Sequence, residues 1–346
     1  MRNETSILYK IAIPIIIGIG VILWMFINEY QPGTWDLITF DALTVSGIIL
    51  AWIFMLGRDF GLAWRFRGIT DKQLSWRQAI KVTFLCEFTS AITPSTVGGS
   101  ALGMIFLNKE GIDLGKGTAL MLTTIFLDEL LFVLLCPLII AIVPTDILFQ
   151  NFELWGMEMK WIFWIAYSAI AIWTAILFIG IFIKPNNVKN LLISTFKLKW
   201  LKRWQNKIAS IGENIVTTST EIKKRSFKWW ANAFAATLLS WTSRFMVVNA
   251  LLLAFAPLTN QLLILCRQVL LWLILSVCPT PGGSGLSEEL FTNYYRDLIF
   301  SGSMDIASIA IILALFWRII TYYVYLVIGI FLIPSFLKAS NENKKQ

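Results

Sequence analysis

The chain has 346 residues, 57% of them hydrophobic and 14% charged, with a formal net charge of +8 and no histidine. That balance, with a mean hydropathy of +0.70, excludes a soluble domain and indicates an all-α polytopic membrane protein, because apolar runs of about 20 residues, the length that crosses roughly 30 Å of hydrocarbon, recur along it. The absent histidine removes the commonest general base and metal ligand, and the basic residues fall between apolar runs, where topology rather than nucleic acid accounts for them.

The first apolar run, Leu8 to Ile27, follows Arg2 and holds Lys10 near its start. It is too long for a signal-peptide core and no small-x-small cleavage site follows, so it reads as a retained span. Residues 28–42 carry Glu29, Asp36 and Asp41 without Lys or Arg. Residues 58–81 carry six basic residues (Arg58, Arg65, Arg67, Lys72, Arg77, Lys81) and two acids. Residues 103–116 are balanced, and 144–160 are acidic. Residues 184–228 hold eleven basic and two acidic residues, and 286–305 hold Glu288, Glu289, Asp297 and Asp305 against Arg296. Basic loops stay cytoplasmic. This tally predicts a chain of the cytoplasmic (inner) membrane of a prokaryote, with both termini inside.

The tally also requires residues 82–102 and 262–285 to enter and leave the membrane on one side each, from opposite faces. The first segment carries Pro94 and Gly98-Gly99-Ser100, and the second carries Pro279, Pro281 and Gly282-Gly283-Ser284-Gly285, 184 positions later. Broken backbone at membrane depth is tolerated where protein or a polar cavity receives it, and a matching pair of breaks in two halves points to a transport site. The expected architecture is about six full spans plus two re-entrant hairpins arranged as an inverted repeat. The whole is one membrane domain, residues 1–346, with halves at 1–157 and 158–346. The alternative is that both glycine strings are plain loop turns.

Several ionisable residues fall inside the spans, where each is costly. Glu87, Asp128 and Glu129 lie in the first half, and Arg244, Arg267 and Arg318 in the second. Pairing between the halves, Glu87 with Arg267 and Asp128/Glu129 with Arg318, is the plain expectation. A helix restarting after each tip aims its free N–H groups at the tip, which with guanidinium groups makes an anion site. Expected substrate-binding residues are therefore Arg244, Arg267, Arg318, Pro94, Gly98, Gly99, Ser100, Pro281, Gly282, Gly283, Ser284 and Gly285, with Glu87, Asp128, Glu129 and Glu288 as charge partners. Cys86, Cys136, Cys266 and Cys278 all fall in apolar segments and form neither a disulfide framework nor a metal pattern. No cofactor, metal or catalytic residue is expected. Within 184–228, the run Phe196 to Trp204 mixes Lys and Arg with aromatics and suits an amphipathic helix on an anionic inner leaflet.

Three stretches carry a resemblance. Thr93-Pro94-Ser95-Thr96-Val97-Gly98-Gly99-Ser100 with Asn108-Lys109-Glu110-Gly111-Ile112, then Pro281-Gly282-Gly283-Ser284-Gly285-Leu286-Ser287-Glu288, then Arg318 with Thr321, Tyr322 and Gly329, resemble the flippase-like membrane domain of lysylphosphatidylglycerol synthases (multiple peptide resistance factors). The resemblance covers nearly the whole chain and implies movement of a phospholipid, or another lipid-linked anionic headgroup, between leaflets. In bifunctional members a separate soluble domain transfers the lysyl group; no such domain is expected here, so lysyl transfer is not. Asp128-Glu129 stands where the resemblance implies Glu-Arg, which counts against a lysylated substrate. An intramembrane lipid-modifying enzyme and a scaffold recruiting partners through 184–228 are the competing functions. The partners expected are membrane lipids and no nucleic acid, and a homodimer remains open.

Overall fold

The computed structural model describes Ile27, residues 40–93, 97–150, 153–154, 156–195, 205–255, 260–278, 280, 282–283, 285–299 and 306–332. The expected first span, the run Phe196 to Trp204, and Pro94, Pro281 and Ser284 lie outside them.

Helix α1 (Ala42–Ile69) starts where Asp41 accepts a hydrogen bond from Thr44 N at 2.8 Å, as an N-cap should. Its last turns and a short bend lead to α2 (Trp76–Ile92), capped reciprocally by Ser75 and Gln78. A break at 93–96 separates α2 from α3 (Val97–Lys109). Helix α4 (Leu114–Ile142) is capped by Asp113, and a short helix α5 (Thr145–Phe149) and a two-residue hairpin (β1 Glu153–Leu154, β2 Met157–Glu158) follow. Helix α6 (Met159–Phe178) ends in a π-helical turn at Ile179–Ile183. Then come α7 (Pro185–Thr195), α8 (Gln205–Lys223) and the long α9 (Phe227–Phe255). Helix α10 (Gln261–Ser276), a glycine-rich corner, α11 (Leu286–Tyr295) and α12 (Ile306–Arg318, continuing through a π-helical turn at Ile319–Tyr323) complete the described chain.

Five helical stretches among the described residues are long and apolar enough to cross a membrane: Ala42–Ile69, Leu114–Ile142, Met159–Ile183, Phe227–Phe255 and Ser308–Leu332. The chain is a multi-pass, all-α membrane protein. Helices α2, α3, α10 and α11 have 17, 13, 16 and 10 residues. At about 1.5 Å per residue each falls short of roughly 30 Å. They fold instead as two hairpins, α2/α3 and α10/α11.

Helices α1 and α9 run antiparallel in close contact. Gly47 faces Ala254 and Ala250, Gly57 faces Ser243, and Gly61 faces Ser240 and Ala236. A Cβ on Gly47 would lie 2.5 Å from Ala254 Cβ, and one on Gly61 would lie 2.9 Å from Ser240 N. Small residues at this spacing let backbones approach where lipid supplies no hydrophobic drive. These two helices hold matching places, each leading into a hairpin and then a span, and they point in opposite directions.

Charge sorts to the two ends of the bundle. Arg225 meets Asp71 at 2.5 Å, and Asn214 meets Asp113 at 2.9 Å. These contacts join the basic segments 58–81 and 184–228 to the balanced turn after α3 at one end. At the other end Tyr294 Oη donates to Leu148 O and Arg267 Nη2 to Ile147 O, joining the acidic segments 144–160 and 286–305.

Two loop assignments need correction. Residues 58–69 are helix, so Arg58 and Arg65 are buried within α1 rather than exposed in a basic loop. Residues 286–295 are helix α11, so Glu288 is buried, not part of an acidic loop. Both helices outrun the loops because ion pairs inside the bundle offset the cost of the charges they carry. The segment 184–228 contains two helices, α7 and α8, which pack on each other, with α8 resting on α4.

Candidate functional site

The two hairpin tips meet. Gly282 N donates to Thr93 O at 3.4 Å, and Tyr322 Oη from α12 donates to Ala91 O at 3.1 Å. Gly282 has φ +56°, and a Cβ there would collide with Tyr322 and come within 3.0 Å of Ala91 O. Only glycine combines that backbone with that approach. The π-helical turn Ile319–Tyr323 presents Thr321 and Tyr322 beside Arg318. Such turns often mark functional positions.

Behind the tips lies a cavity of about 160 Å³, walled by α1, α2, α4, α9, α10 and α12. Four arginines line it: Arg58, Arg65, Arg244 and Arg318. Arg65 makes a two-pronged pair with Asp128, Nη1–Oδ1 at 2.5 Å and Nη2–Oδ2 at 3.0 Å. Asp128 also accepts from Trp241 Nε1 at 2.8 Å, and Arg65 donates to Thr237 Oγ1. Arg58 pairs with Glu87, with Asp59 at 3.0 Å and with Tyr325 Oη at 3.1 Å. Arg318 Nε sits 2.8 Å from Glu288 Oε1, a close ion pair poorly aligned as a hydrogen bond, and its guanidinium lies 3.7 Å from the centre of the Tyr322 ring.

Arg244 differs from the other three. Among the described residues its nearest carboxylate is Glu87 at 3.9 Å, and that carboxylate is already bonded to Arg58. Its guanidinium lies 3.7 Å from the Trp272 ring centre, and its Nε has no hydrogen-bond partner among the described residues. Trp272 Nε1, on the same wall, is also a buried donor without an acceptor among the described residues. The unmet groups on this wall are donors, so the arrangement favours an acceptor-rich, anionic guest.

The residues expected from the sequence divide as follows. Arg244, Arg318, Gly99, Gly282, Gly283, Glu87 and Asp128 line the cavity. Gly98 and Ser100 belong, with Gly99, to the first turn of α3, which starts before the glycines rather than after them. Gly285 is the N-cap of α11, and its N–H is taken at 2.8 Å by Glu288, so that helix end is closed by its own acid. Glu288 stands behind Arg318 and does not line the cavity. Glu129 also lies off it, with Oε2 buried and lacking a hydrogen-bond partner among the described residues.

Arg267 is a correction. It is 1% exposed and outside the cavity, held by Asp297 at 2.6 and 2.9 Å and by Tyr294 O and Ile147 O. It closes the base of the second hairpin, as Lys81 closes the first through Glu110 at 2.7 Å. The expected pairings of Glu87 with Arg267 and of Asp128 with Arg318 do not occur, because nearer partners in the same half take each charge. Arg58 and Arg65 were missed; they lie seven residues apart, two helical turns along one face of α1, and that spacing was the available signal.

A polytopic helical membrane protein with a charged cavity between the tips of two helical hairpins is thus defined. The chain matches the family model described as "Lysylphosphatidylglycerol synthase TM region" over residues 11–329, and it belongs to that family. It is also similar to a "UPF0104 membrane protein" of Archaeoglobus fulgidus, 22% identical over 332 residues, covering 92% of this chain and 94% of that protein.

Proposed function

We propose that this protein translocates a phospholipid, or another lipid-linked phosphate headgroup, between membrane leaflets. The observation that carries this reading is Arg244, a guanidinium on a cavity wall, stacked on Trp272 and without a carboxylate at hydrogen-bonding distance among the described residues. Phosphate is the anion a lipid bilayer supplies in abundance, and a planar guanidinium is matched to it. Arg318 and the Gly99 turn complete the phosphate side of the cavity. The glycine corners give way as the halves shift, in the manner of inverted-repeat transporters. The cytoplasmic membrane, with the basic end inside, is the setting this reading requires. Residues 184–228 then rest against the anionic inner leaflet.

The test is movement of a fluorescent phosphatidylglycerol across the bilayer of liposomes containing the purified chain. Arg244→Gln abolishes movement, whereas Arg225→Gln, at the surface pair with Asp71, retains it. Wild-type rates for Arg244→Gln, in protein with an unchanged size-exclusion profile, would refute the reading.

A further inference from the structure

Glu87 stands between two arginines in matching places. Arg58 and Arg244 each lie eleven residues before the last residue of their helices, Ile69 of α1 and Phe255 of α9. They sit next to Gly57 and Ser243, where the two helices touch. One oxygen, Glu87 Oε2, reaches both: it is bonded to Arg58 Nη2 and is 3.9 Å from Arg244 Nη1. Glu87 lies eleven residues before Gly98. The residue eleven before Gly282 is Leu271. Two equivalent arginines therefore share a carboxylate that the second hairpin does not duplicate.

Their other partners are unequal. Arg58 retains Asp59 and the Tyr325 hydroxyl, whereas Arg244 has the faces of Trp272 and Trp241. If Glu87 moves from Arg58 to Arg244, Arg58 still holds an acid and Arg244 gains one. If it moves back, Arg244 is open to an outside anion. Once the outside anion occupies Arg244, neither position strands a charge, which is the condition for a buried ion pair to switch at low cost.

We propose that Glu87 exchanges between Arg58 and Arg244 and competes with the phosphate of the guest for Arg244. This rests on the phosphate-binding reading of the cavity given above. Glu87 rides on α2, whose far end carries Ala91 and Thr93, the residues that touch Tyr322 and Gly282 across the tips. The exchange thereby links occupancy of Arg244 to contact between the hairpins. Glu87 is a positioning residue in this scheme and Arg244 the binding one.

Binding of dihexanoyl phosphatidylglycerol and, separately, of inorganic phosphate to the full chain in detergent is followed by tryptophan fluorescence. Glu87→Gln tightens binding by about tenfold, less than an opposite charge at 3.9 Å would give alone, because Arg58 already holds that charge. Its transbilayer rate in liposomes falls despite the tighter binding. Asp59→Asn shifts affinity the same way and by less, since Arg58 then grips Glu87 harder. A purely structural Glu87 would show weaker or unchanged binding in both variants, and that result overturns the proposal. Should Glu87→Gln not fold, Asp59→Asn decides alone. Tightening for both ligands with no lipid movement by the wild type would sink the translocation reading and keep the competition. Tightening for inorganic phosphate alone would keep the competition and replace the lipid by free phosphate as the guest.

Discussion

Removing Arg318 gives the sharpest test of how the buried charges are held. Glu288 is 0% exposed, and Arg318 Nε approaches it at 2.8 Å. Breaking one side of a buried pair costs about 3–5 kcal/mol, because the other charge stays behind uncompensated. Glu288 retains the Gly285 N–H and the Ser287 hydroxyl, both at 2.8 Å, which places Arg318→Ala near the lower limit, at about 3 kcal/mol. For 346 residues, an unfolding entropy of roughly 2 cal/mol/K per residue converts this to a fall of about 4 °C in melting temperature. Adding Glu288→Gln to Arg318→Ala removes the stranded charge while keeping the side chain's shape, and returns about half of the loss. The assay is thermal unfolding in detergent, read by tryptophan fluorescence. If Arg318→Ala melts within about 1 °C of wild type, or if Glu288→Gln lowers it further, Glu288 is not an ionised partner of Arg318 and the reasoning fails.

Three further outcomes follow from the same structure. Gly47→Val places a side chain against Ala254 Cβ and Ala250 O, 2.5 and 2.9 Å from the first carbon, and lowers stability by about 1–3 kcal/mol through overpacking in the same melting assay. Glu129→Leu raises the melting temperature, because Oε2 is buried without a donor among the described residues and an unpaired buried polar atom is a standing cost of about 1 kcal/mol or more; a fall would reveal a partner for Glu129. Asp113 titrates below its ordinary value of 3.8: burial opposes ionisation, but hydrogen bonds from Lys116 N–H, the Asn214 amide and Gly115 N–H outweigh it. A depressed carboxyl contributes stability above its unfolded value and loses it as pH falls through the folded one. Proteolytic release of α8 from α4 is therefore flat from about pH 8 to 5 and rises below about pH 4, and Asp113→Asn reproduces the release at neutral pH.

The architecture was legible because membrane sequences advertise it. Apolar length marked α4, α6, α9 and α12, and the repeated glycine strings marked both hairpins. Charge tallies sorted the loops into the two ends now joined by the Arg225–Asp71 and Arg267–Ile147 contacts. Pairing was not legible, since it depends on which helix faces meet. Counting Arg58 and Arg65 as loop charge hid two of the cavity's four arginines, and it made the acids of the first half look destined for the second. Glu87 and Arg267 sit on equivalent legs, yet Arg267 is nearer the base of its hairpin, where Asp297 is within reach. Helix ends also moved: Glu288 reads as loop acid until Gly285 N–H is seen to need its carboxylate.

The distribution of ion pairs bears on how such a molecule can move. Arg58–Glu87 and Arg65–Asp128 lie within residues 1–157, and Arg318–Glu288 and Arg267–Asp297 within 158–346. A buried pair inside one half travels with it and resists nothing when the halves shift. Among the described residues, the buried pair that crosses between halves is Arg244–Glu87, at 3.9 Å, the loosest of them all. Beyond the half-exposed Arg225–Asp71 pair, the other cross-links among the described residues include neutral hydrogen bonds such as Gly282 to Thr93 and Tyr322 to Ala91, charge-to-neutral ones such as Trp241 to Asp128 and Arg267 to Ile147, and the small-residue seam of α1 and α9. Neutral bonds contribute about 1 kcal/mol each and bonds to a charged group about 1.5–3 kcal/mol, so a shift between these halves would have to break such hydrogen bonds but would leave the close buried ion pairs whole. An architecture built only to lock helices together would place its close buried pairs across the seam, and among the described residues this one keeps them off it.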